Sequence, residues 1–235
     1  MPDLLRFKQE SIAISGVAAL QIRSLLDQRQ FSDPQGEAEA LGISSAAWPL
    51  FGLLWPSGLQ LAALMALRPL REDESILEIG CGLGLASLVS HRRGALVTAS
   101  DCHPMAGSFL LENLKLNALP PMRYCHGDWA PADPALTPQL RVPRVQGLFD
   151  LIIGSDVLYE RDDGGVLPRF IERHALPVSE VMIIDPNRGN RSAFNKRMVG
   201  MGYALEETAL RSAVYSGRLL HYRRQGAVAM LGAPR

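Results

Sequence analysis

Residues 75–86 read SILEIGCGLGLA, and this stretch decides the fold. Its short apolar run contains Glu78 and leads into three glycines at alternate positions, Gly80, Gly82 and Gly84. Because glycine has no Cβ, a turn built from it can take positive φ values and lie directly against a ligand. The N–H groups that begin a helix are free to face the same ligand. The pattern therefore predicts a strand, a tight turn and a helix that together hold a nucleotide-like molecule.

The spacing of these glycines departs from the dinucleotide-binding fingerprint. That fingerprint has the order G-x-G-x-x-G/A, whereas the bulky Leu85 stands where its third small residue would fall. The acid at Glu78 is a further difference. A purely structural turn of an α/β protein is the alternative interpretation, and the segments that follow have to decide between the two.

Length and composition limit the architecture and the partners. With 235 residues and 47% hydrophobic content, the chain can bury one sizeable core. We expect an N-terminal extension of short strands over residues 1–47 and one domain over residues 48–235. Lysine plus arginine equals aspartate plus glutamate at 24 each, so no overall field favours nucleic acid or a membrane surface. Local basic residues are interpreted as solvated faces, with a phosphate-binding role as the alternative: Arg188, Arg191, Lys196, Arg197, Arg223 and Arg224.

The cysteines and the apolar runs indicate a cytoplasmic protein. Cys81, Cys102 and Cys125 form no C-x-x-C pair, and an odd number argues against a disulfide framework. We expect reduced thiols and no metal site. Charges interrupt the N-terminal MPDLLRFKQE, and we expect no run to reach the roughly 20 apolar residues of a membrane helix.

Strands and helices alternate along the chain. Pro56 can begin a helix with a broad apolar face, and the glycine turn follows it. Further strands are expected at 95–100, 122–125, 148–154 and 180–185, a final pair at 203–210 and 218–224, and further helices at 85–93, 104–118, 164–176 and up to about 201. This order predicts an α/β fold: a doubly wound, mostly parallel, seven-stranded Rossmann-like sheet with right-handed crossovers.

Several residues follow the predicted strands, where open α/β sheets bind ligands. Asp101 stands 21 residues after Gly80, close to the spacing of about 20 that places an acid against a ribose diol. The segment SDVLYE follows the 148–154 strand directly. Residues 130–147 carry four prolines, which predicts an extended surface connection that is either functional or mobile. Trp48 and Trp55 are interpreted as core residues, with a pocket lining as the alternative.

Six segments together resemble a known enzyme family. In chain order they are WPSG, LEIGCGLG, SDCHP, GDW, SDVLY and IIDPNR, and they span roughly residues 46–222. E-x-G-x-G-x-G resembles motif I of the seven-strand, class I S-adenosylmethionine-dependent methyltransferases. The D-x-x-Y of Asp156 to Tyr159, with Trp55-Pro56 upstream, is similar to the protein-lysine methyltransferase group, whose members modify chaperones, elongation factors and the electron-transfer flavoprotein beta subunit. Cys81 departs from the family, in which many members have serine or a residue like alanine.

The resemblance implies a cofactor and a role for each site residue. The cofactor is S-adenosylmethionine, and Asp101 takes its ribose hydroxyls. Asp156 captures and orients the acceptor, with Tyr159 beside it, and these two are the catalytic residues. The remaining cofactor-binding residues are Glu78, Gly80, Gly82 and Gly84 around the methionine part and ribose, Trp55 near the methionine end, Asp128 and Trp129 at the adenine, and Ser155. No metal ligand is implied.

The expected acceptor is a lysine of a protein, and other acceptors remain as alternatives. A small-molecule N-methyltransferase would share all of these motifs. A nicotinamide-dependent oxidoreductase is disfavoured by Leu85 and by the D-x-x-Y. A DNA-adenine methyltransferase would show N/D-P-P-Y/F, and Ser155-Asp156-Val157-Leu158 has no proline. We expect neither nucleic acid nor a membrane as partner.

Overall fold

The computed structural model describes residues 5–130 and 142–226. Within these ranges the elements follow in the order β1 (Phe7–Ile14), β2 (Val17–Leu25), α1 (Glu37–Ala40), a 3₁₀ helix (Trp48–Gly52), α2 (Pro56–Leu67), β3 (Ser75–Ile79), α3 (Leu85–Arg92), β4 (Leu96–Asp101), α4 (Ala106–Leu116), β5 (Arg123–His126), β6 (Phe149–Ser155), α5 (Val166–His174), β7 (Ala175–Asp185), α6 (Arg191–Gly200), β8 (Ala204–Arg211) and β9 (Ser216–Arg224).

One seven-stranded sheet forms the centre of the molecule. Its strand order is β5-β4-β3-β6-β7-β9-β8. The first five strands of this order pair in parallel, and β9 runs antiparallel to both β7 and β8. The predicted doubly wound, mostly parallel sheet is therefore confirmed. The chain moves outward from β3 through β4 to β5 and then returns to β6 on the other side of β3, which places a ligand crevice at the carboxyl ends of β3 and β6.

Helices cover both faces of this sheet. On β3, Ile76 packs with one core cluster, which contains residues of α2, α3 and α4, whereas the next residue, Leu77, packs with the other, which contains residues of α5 and α6. This alternation follows from the two-residue period of a strand. Burial on both faces explains why β6 is apolar over nearly its whole length.

The N-terminal residues form an antiparallel hairpin, β1–β2, that is attached to α4. The backbone N–H groups of Gln21 and Arg23 donate to the side-chain oxygens of Asn117 and Asn113, at 2.9 and 2.8 Å. The amide of Asn117 donates back to the carbonyl of Gln21 at 2.8 Å. These bonds pair the free edge of β2, which would otherwise expose backbone groups. The domain boundary near residue 47 stays a prediction.

Two predicted segments differ from the structure or fall outside its described part. The helix expected to reach Leu176 ends at His174, and β7 already begins at Ala175. Pro177 explains this difference, because the residue before a proline is disfavoured in the helical region. Of the proline-rich connection expected over 130–147, residues 131–141 lie outside the described residues.

One apolar stretch is longer than expected. Within the described residues, Trp48–Leu67 spans 20 residues with a mean hydropathy of 1.6, and 39% of its apolar window is buried. By length and composition it could cross a membrane, so the expectation that no run reaches this length is wrong. In the fold this stretch consists of the 3₁₀ helix and α2, and Leu61, Ala62 and Met65 of α2 are buried in the core. The core helix of a folded domain meets the same length and hydropathy criterion.

Candidate active site

A cavity of about 980 Å³ opens at the carboxyl ends of the parallel strands. Residues that end or follow β3, β4, β5, β6 and β7 line it, as expected for the switch point of such a sheet. Ten predicted site residues lie in its wall: Trp55, Glu78, Gly80, Gly82, Asp101, Asp128, Trp129, Ser155, Asp156 and Tyr159. Gly84 does not line it. It precedes the first residue of α3, and a Cβ there would lie 2.7 Å from Cδ1 of Leu110.

The glycine turn has the backbone that its sequence predicts. Gly80 and Gly82 have φ values of 56° and 53°, a backbone region that residues other than glycine rarely adopt. A Cβ on Gly82 would lie 3.0 Å from the carbonyl oxygen of Phe51, and one on Gly80 would lie 3.0 Å from Cγ1 of Val157. The turn therefore presents bare backbone to the cavity, and any larger residue would narrow it.

Glu78 joins the strand before this turn to the helix after it. Its carboxylate is buried and accepts hydrogen bonds from the backbone N–H of Ser87, at 2.8 Å, and from the Ser87 hydroxyl. Burial raises the pKa of Glu78 to about 7, although the two hydrogen bonds from Ser87 act to lower it. Glu78 is consequently close to half-protonated at neutral pH.

Asp101 connects β4 to the glycine turn. Its carboxylate accepts the backbone N–H groups of Gly82 and His103, each at 2.8 Å. Burial raises the pKa of Asp101, and these two hydrogen bonds oppose that effect. A carboxylate has about four lone-pair sites, so Asp101 can still accept hydrogen bonds from a ligand in the cavity.

His103 supports the same end of the cavity as a neutral ring. It stacks on Phe51 with a centroid distance of 3.8 Å and an interplanar angle of 10°. Burial lowers the pKa of His103 to about 3. The buried Trp48 packs edge-on against the same ring, so Trp48 is a core residue and the cavity-lining tryptophan of this segment is Trp55, whose indole N–H donates to the carbonyl of Leu50 at 2.8 Å.

The wall after β5 contains an acid and two polar nitrogens that have no partner among the described residues. Asp128 accepts the backbone N–H of Ala130 at 2.9 Å, and its other oxygen lies 3.5 Å from Nη1 of Arg144. Among the described residues, Nε2 of His126 and Nε1 of Trp129 are buried without a hydrogen-bond partner. Buried polar groups are normally hydrogen-bonded, so these nitrogens are available to a polar ligand.

Asp156 stands at the end of β6 in an unusual backbone conformation. Its φ is 55°, in the left-handed region, and its N–H donates to the carbonyl of Ile184 at 2.8 Å. The carboxylate accepts Nε and Nη2 of Arg188 at 2.9 and 3.0 Å, which is a bidentate ion pair. The hydrogen bond to Asp156 raises the pKa of Arg188. A positive φ at a residue with a side chain is a feature of functional sites.

The loop after β7 supplies cavity residues that the sequence did not reveal. Arg188 was interpreted as part of a solvated face, but its side chain reaches the cavity and holds Asp156. Asn190 also lines the cavity, and its amide donates to the carbonyl of Leu158 at 3.0 Å. The available signal was topological: β6 and β7 are parallel neighbours, so the residues that follow them meet at one edge.

Arg191 and Arg197 are also paired rather than simply solvated. Nη1 of Arg191 lies 3.7 Å from the buried Asp185 carboxylate, and Arg197 donates to the carbonyls of Asp162 and Asp163. Both arginines come from α6. They hold the 162–163 turn and the end of β7 in place.

Comparison with solved structures assigns the fold. The magnesium protoporphyrin IX methyltransferase ChlM of Synechocystis PCC 6803, with bound SAM, matches with a TM-score of 0.56 and 17% identity over 72% of this chain and 78% of its own. A methyltransferase of Pyrococcus furiosus matches with a TM-score of 0.54 and 19% identity over 83% and 99%. The chain has the class I methyltransferase fold. No family model matches its sequence.

Sequence comparison relates this class I chain to lysine-modifying enzymes. The electron transfer flavoprotein beta subunit lysine methyltransferases of Mus musculus and Rattus norvegicus are 29% and 30% identical to it, over 63% and 60% of this chain. The aligned parts are 55% and 51% of those proteins, so the chain spans about half their length. The protein-lysine methyltransferase METTL21E of Bos taurus is 31% identical over 46% of this chain and 37% of its own. The resemblance indicated by the motifs is confirmed.

Proposed function

We propose that this protein is an S-adenosylmethionine-dependent methyltransferase that modifies a lysine side chain of a protein. One observation carries the proposal: a single cavity joins a glycine turn and a strand-end acid, Asp101, to an acid–arginine pair at Asp156. The first group is suited to a nucleoside and the second to a polar acceptor. Similarity to proteins named as lysine methyltransferases supports the acceptor class.

The residues around the cavity fit this cofactor. The backbone at Gly80 and Gly82 leaves space that a Cβ would fill. Asp101 keeps acceptor capacity for the two ribose hydroxyls. At the far wall, Asp128 and the unpartnered nitrogens of His126 and Trp129 offer polar groups to an adenine. Trp55 lies on the side of the cavity formed by the 3₁₀ helix and the start of α2, where we assign the methionine end.

The reaction requires a neutral amine in the acceptor position. S-adenosylmethionine, when bound, supplies a methyl group on a positively charged sulfur. The nitrogen lone pair forms the new N–C bond as the S–C bond breaks with its electrons going to sulfur, and the nitrogen loses a proton to solvent. A lysine amine with a pKa of about 10.4 is neutral in roughly one molecule in a few thousand at pH 7. The site must therefore favour the uncharged form.

The chain offers alignment and desolvation for this step. Trp55 and Tyr159 place aromatic surface at the acceptor end, and removal of water favours the neutral amine. We assign Asp156 to orienting the amine through a hydrogen bond. Holding the nitrogen in line with the methyl group lowers the barrier, because the entropy cost of alignment is met on binding.

The acceptor protein that we place first is the electron transfer flavoprotein beta subunit, because relatives of this chain are named for it. The equal numbers of basic and acidic residues support a protein over a nucleic acid as partner. Packing of α2 in the core supports a role for Trp48–Leu67 that needs no membrane. The cytoplasmic location stays a prediction.

A fractionated labelling experiment tests this function. Purified protein and radiolabelled S-adenosylmethionine are added to a lysate of the parent organism, which is then separated into protein, nucleic acid and dialysable fractions. Label in protein that resists nuclease supports the proposal. Label only in the dialysable fraction would replace it with a small-molecule N-methyltransferase.

A further inference from the structure

The arginine that binds Asp156 is held in place by a second acid. The Asp185 carboxylate is fully buried at the end of β7 and accepts the backbone N–H of Arg188 at 3.1 and 3.3 Å. Of the two residues between them, Asn187 has a φ of 64°. Arg191 lies 3.7 Å from the same carboxylate. The turn after β7 is therefore pinned in one conformation, which directs the guanidinium of Arg188 towards Asp156.

The pair between Arg188 and Asp156 has well-defined geometry. Two parallel N–H donors meet two carboxylate oxygens at 2.9 and 3.0 Å, the arrangement in which arginine binds a carboxylate most specifically. The side chain of Asp156 is 12% exposed and that of Arg188 is 43% exposed. The acid thus faces the cavity from the inner side of the pair, while the arginine covers it from the solvent side.

The ion pair with Arg188 resolves a difficulty that the Asp156 carboxylate creates for the proposed reaction. A lone carboxylate beside an amine stabilises the ammonium form and raises the pKa of that amine. Such a charge would oppose the formation of a nucleophilic lysine. A guanidinium bound to the carboxylate cancels most of its charge but leaves its remaining lone pairs free to accept a hydrogen bond.

We propose that Arg188 is a positioning residue that neutralises Asp156, so that the acceptor site orients a lysine amine in its uncharged form instead of trapping it as an ammonium. This inference rests on the proposed function. Arg188 of the IIDPNR segment then gives the acceptor site its specificity for neutral amines. The guanidinium disfavours a protonated amine, whereas a neutral amine can donate to Asp156.

A second acid–arginine pair adjoins the first. Arg191 of α6 pairs with Asp185 of β7, so Asp156, Asp185, Arg188 and Arg191 together make a set of two acids and two arginines. Tyr215, from the β8–β9 turn, hydrogen-bonds to Ser57 of α2 at 3.0 Å. Burial, and to a smaller extent the charge of Asp156, raise the pKa of both Asp185 and Tyr215.

Three further groups reach the same end of the cavity. Tyr159 and Glu160 follow Asp156 on its own segment, and Asp101 approaches from β4. The acids among them add negative charge, as does Asp156 itself. Removal of Arg188 would therefore leave the acceptor position with uncompensated negative charge.

The pH profile of kcat tests the proposal. The acceptor is the purified protein that takes the label, with the electron transfer flavoprotein beta subunit tried first, at saturating concentration. Under these conditions kcat reports the pKa of the bound amine. For Arg188→Gln, we expect the acid limb to move up by about one pH unit. The variant then loses about tenfold in kcat at pH 7 and approaches wild type at high pH, while KM for the acceptor does not rise.

Two further variants separate this role from a structural one. Lys115→Gln removes one positive charge from an exposed pair with Glu112 on α4 and should leave the profile unchanged. Arg188→Lys keeps the charge but not the bidentate geometry, so its kcat falls while the midpoint of its acid limb stays with wild type. If Arg188→Gln does not fold, as judged by its cofactor affinity in calorimetry, Arg188→Met removes the same charge and takes its place in the pH profile.

The possible results distinguish the two proposals. For Arg188→Gln, an equal loss of kcat at every pH, with a midpoint that coincides with wild type, would refute the role of Arg188 and leave the methyltransferase function standing. A displaced midpoint for Arg188→Lys would refute it too. If the wild-type protein labels no amine at all, the proposed function fails and this inference fails with it.

Discussion

Substitution of Glu78 by glutamine should remove a pH dependence of stability. The folded-state pKa of this buried acid is about 7, against an ordinary value of 4.5. Between these two values the unfolded chain has lost the proton that the folded chain still holds, so the free energy of unfolding falls as pH rises. At about 1.4 kcal/mol per pH unit, this difference corresponds to about 3 kcal/mol of stability, present below pH 4.5 and lost by pH 7.

The assay is urea denaturation of wild type and Glu78→Gln at several pH values from 4.5 to 8. The glutamine side chain of the variant can still accept from Ser87, and its buried amide group costs the same at every pH. The difference in the free energy of unfolding between the two proteins should therefore change by about 3 kcal/mol over this pH range. The variant gains stability relative to wild type as pH rises. Glu112→Gln is the matched control. Lys115 lowers the pKa of Glu112, so this variant should not gain stability relative to wild type as pH rises. Parallel curves for wild type and Glu78→Gln would refute the reasoning.

Three other predictions concern the cavity. Asp101→Ala should weaken the binding of S-adenosylmethionine and its demethylated product by about 1.5 to 3 kcal/mol, or roughly one to two decades in Kd by calorimetry, and unchanged affinity would contradict the ribose assignment. Asp156→Ala and Tyr159→Phe should lower methyl transfer while calorimetric cofactor affinity stays near wild type, and a parallel loss of both would place them under the cofactor. Gly82→Ala should lower the melting temperature and cofactor affinity together, because its φ of 53° costs about 1–2 kcal/mol for a residue with a Cβ and the added atom meets the Phe51 carbonyl; a fully stable variant that binds normally would contradict the close approach.

The main sheet could be predicted from the sequence because its signals are local. The alternate glycines after β3 and the continuous apolar run of β6 each fix an element without knowledge of its neighbours. Asp101 followed from a fixed distance along the chain. The predicted end of α5 lies two residues beyond the observed one, because Pro177 disfavours the helical conformation at the residue before it.

The part of the cavity around Asp156 could not be predicted, because it depends on contacts between distant segments. Asp156 and Arg188 are separated by 32 residues and meet only because β6 and β7 are adjacent in the sheet. A cluster of arginines in sequence is usually a solvated face, so composition favoured the wrong interpretation of Arg188. Trp48 and Trp55 likewise could not be distinguished, because the 3₁₀ helix that turns one into the core and the other to the cavity has no sequence signal of its own.

The most direct test of the central claim is mass spectrometry of the acceptor protein. The protein that takes label from S-adenosylmethionine is purified and digested after reaction with wild type and with Asp156→Ala. We predict that one or a few peptides gain the mass of one or more methyl groups, that fragmentation places every gain on a lysine side chain, and that the gain is strongly reduced with the variant. Methyl groups on another residue type, or a modified acceptor that is not a protein, would contradict the proposed lysine methyltransferase.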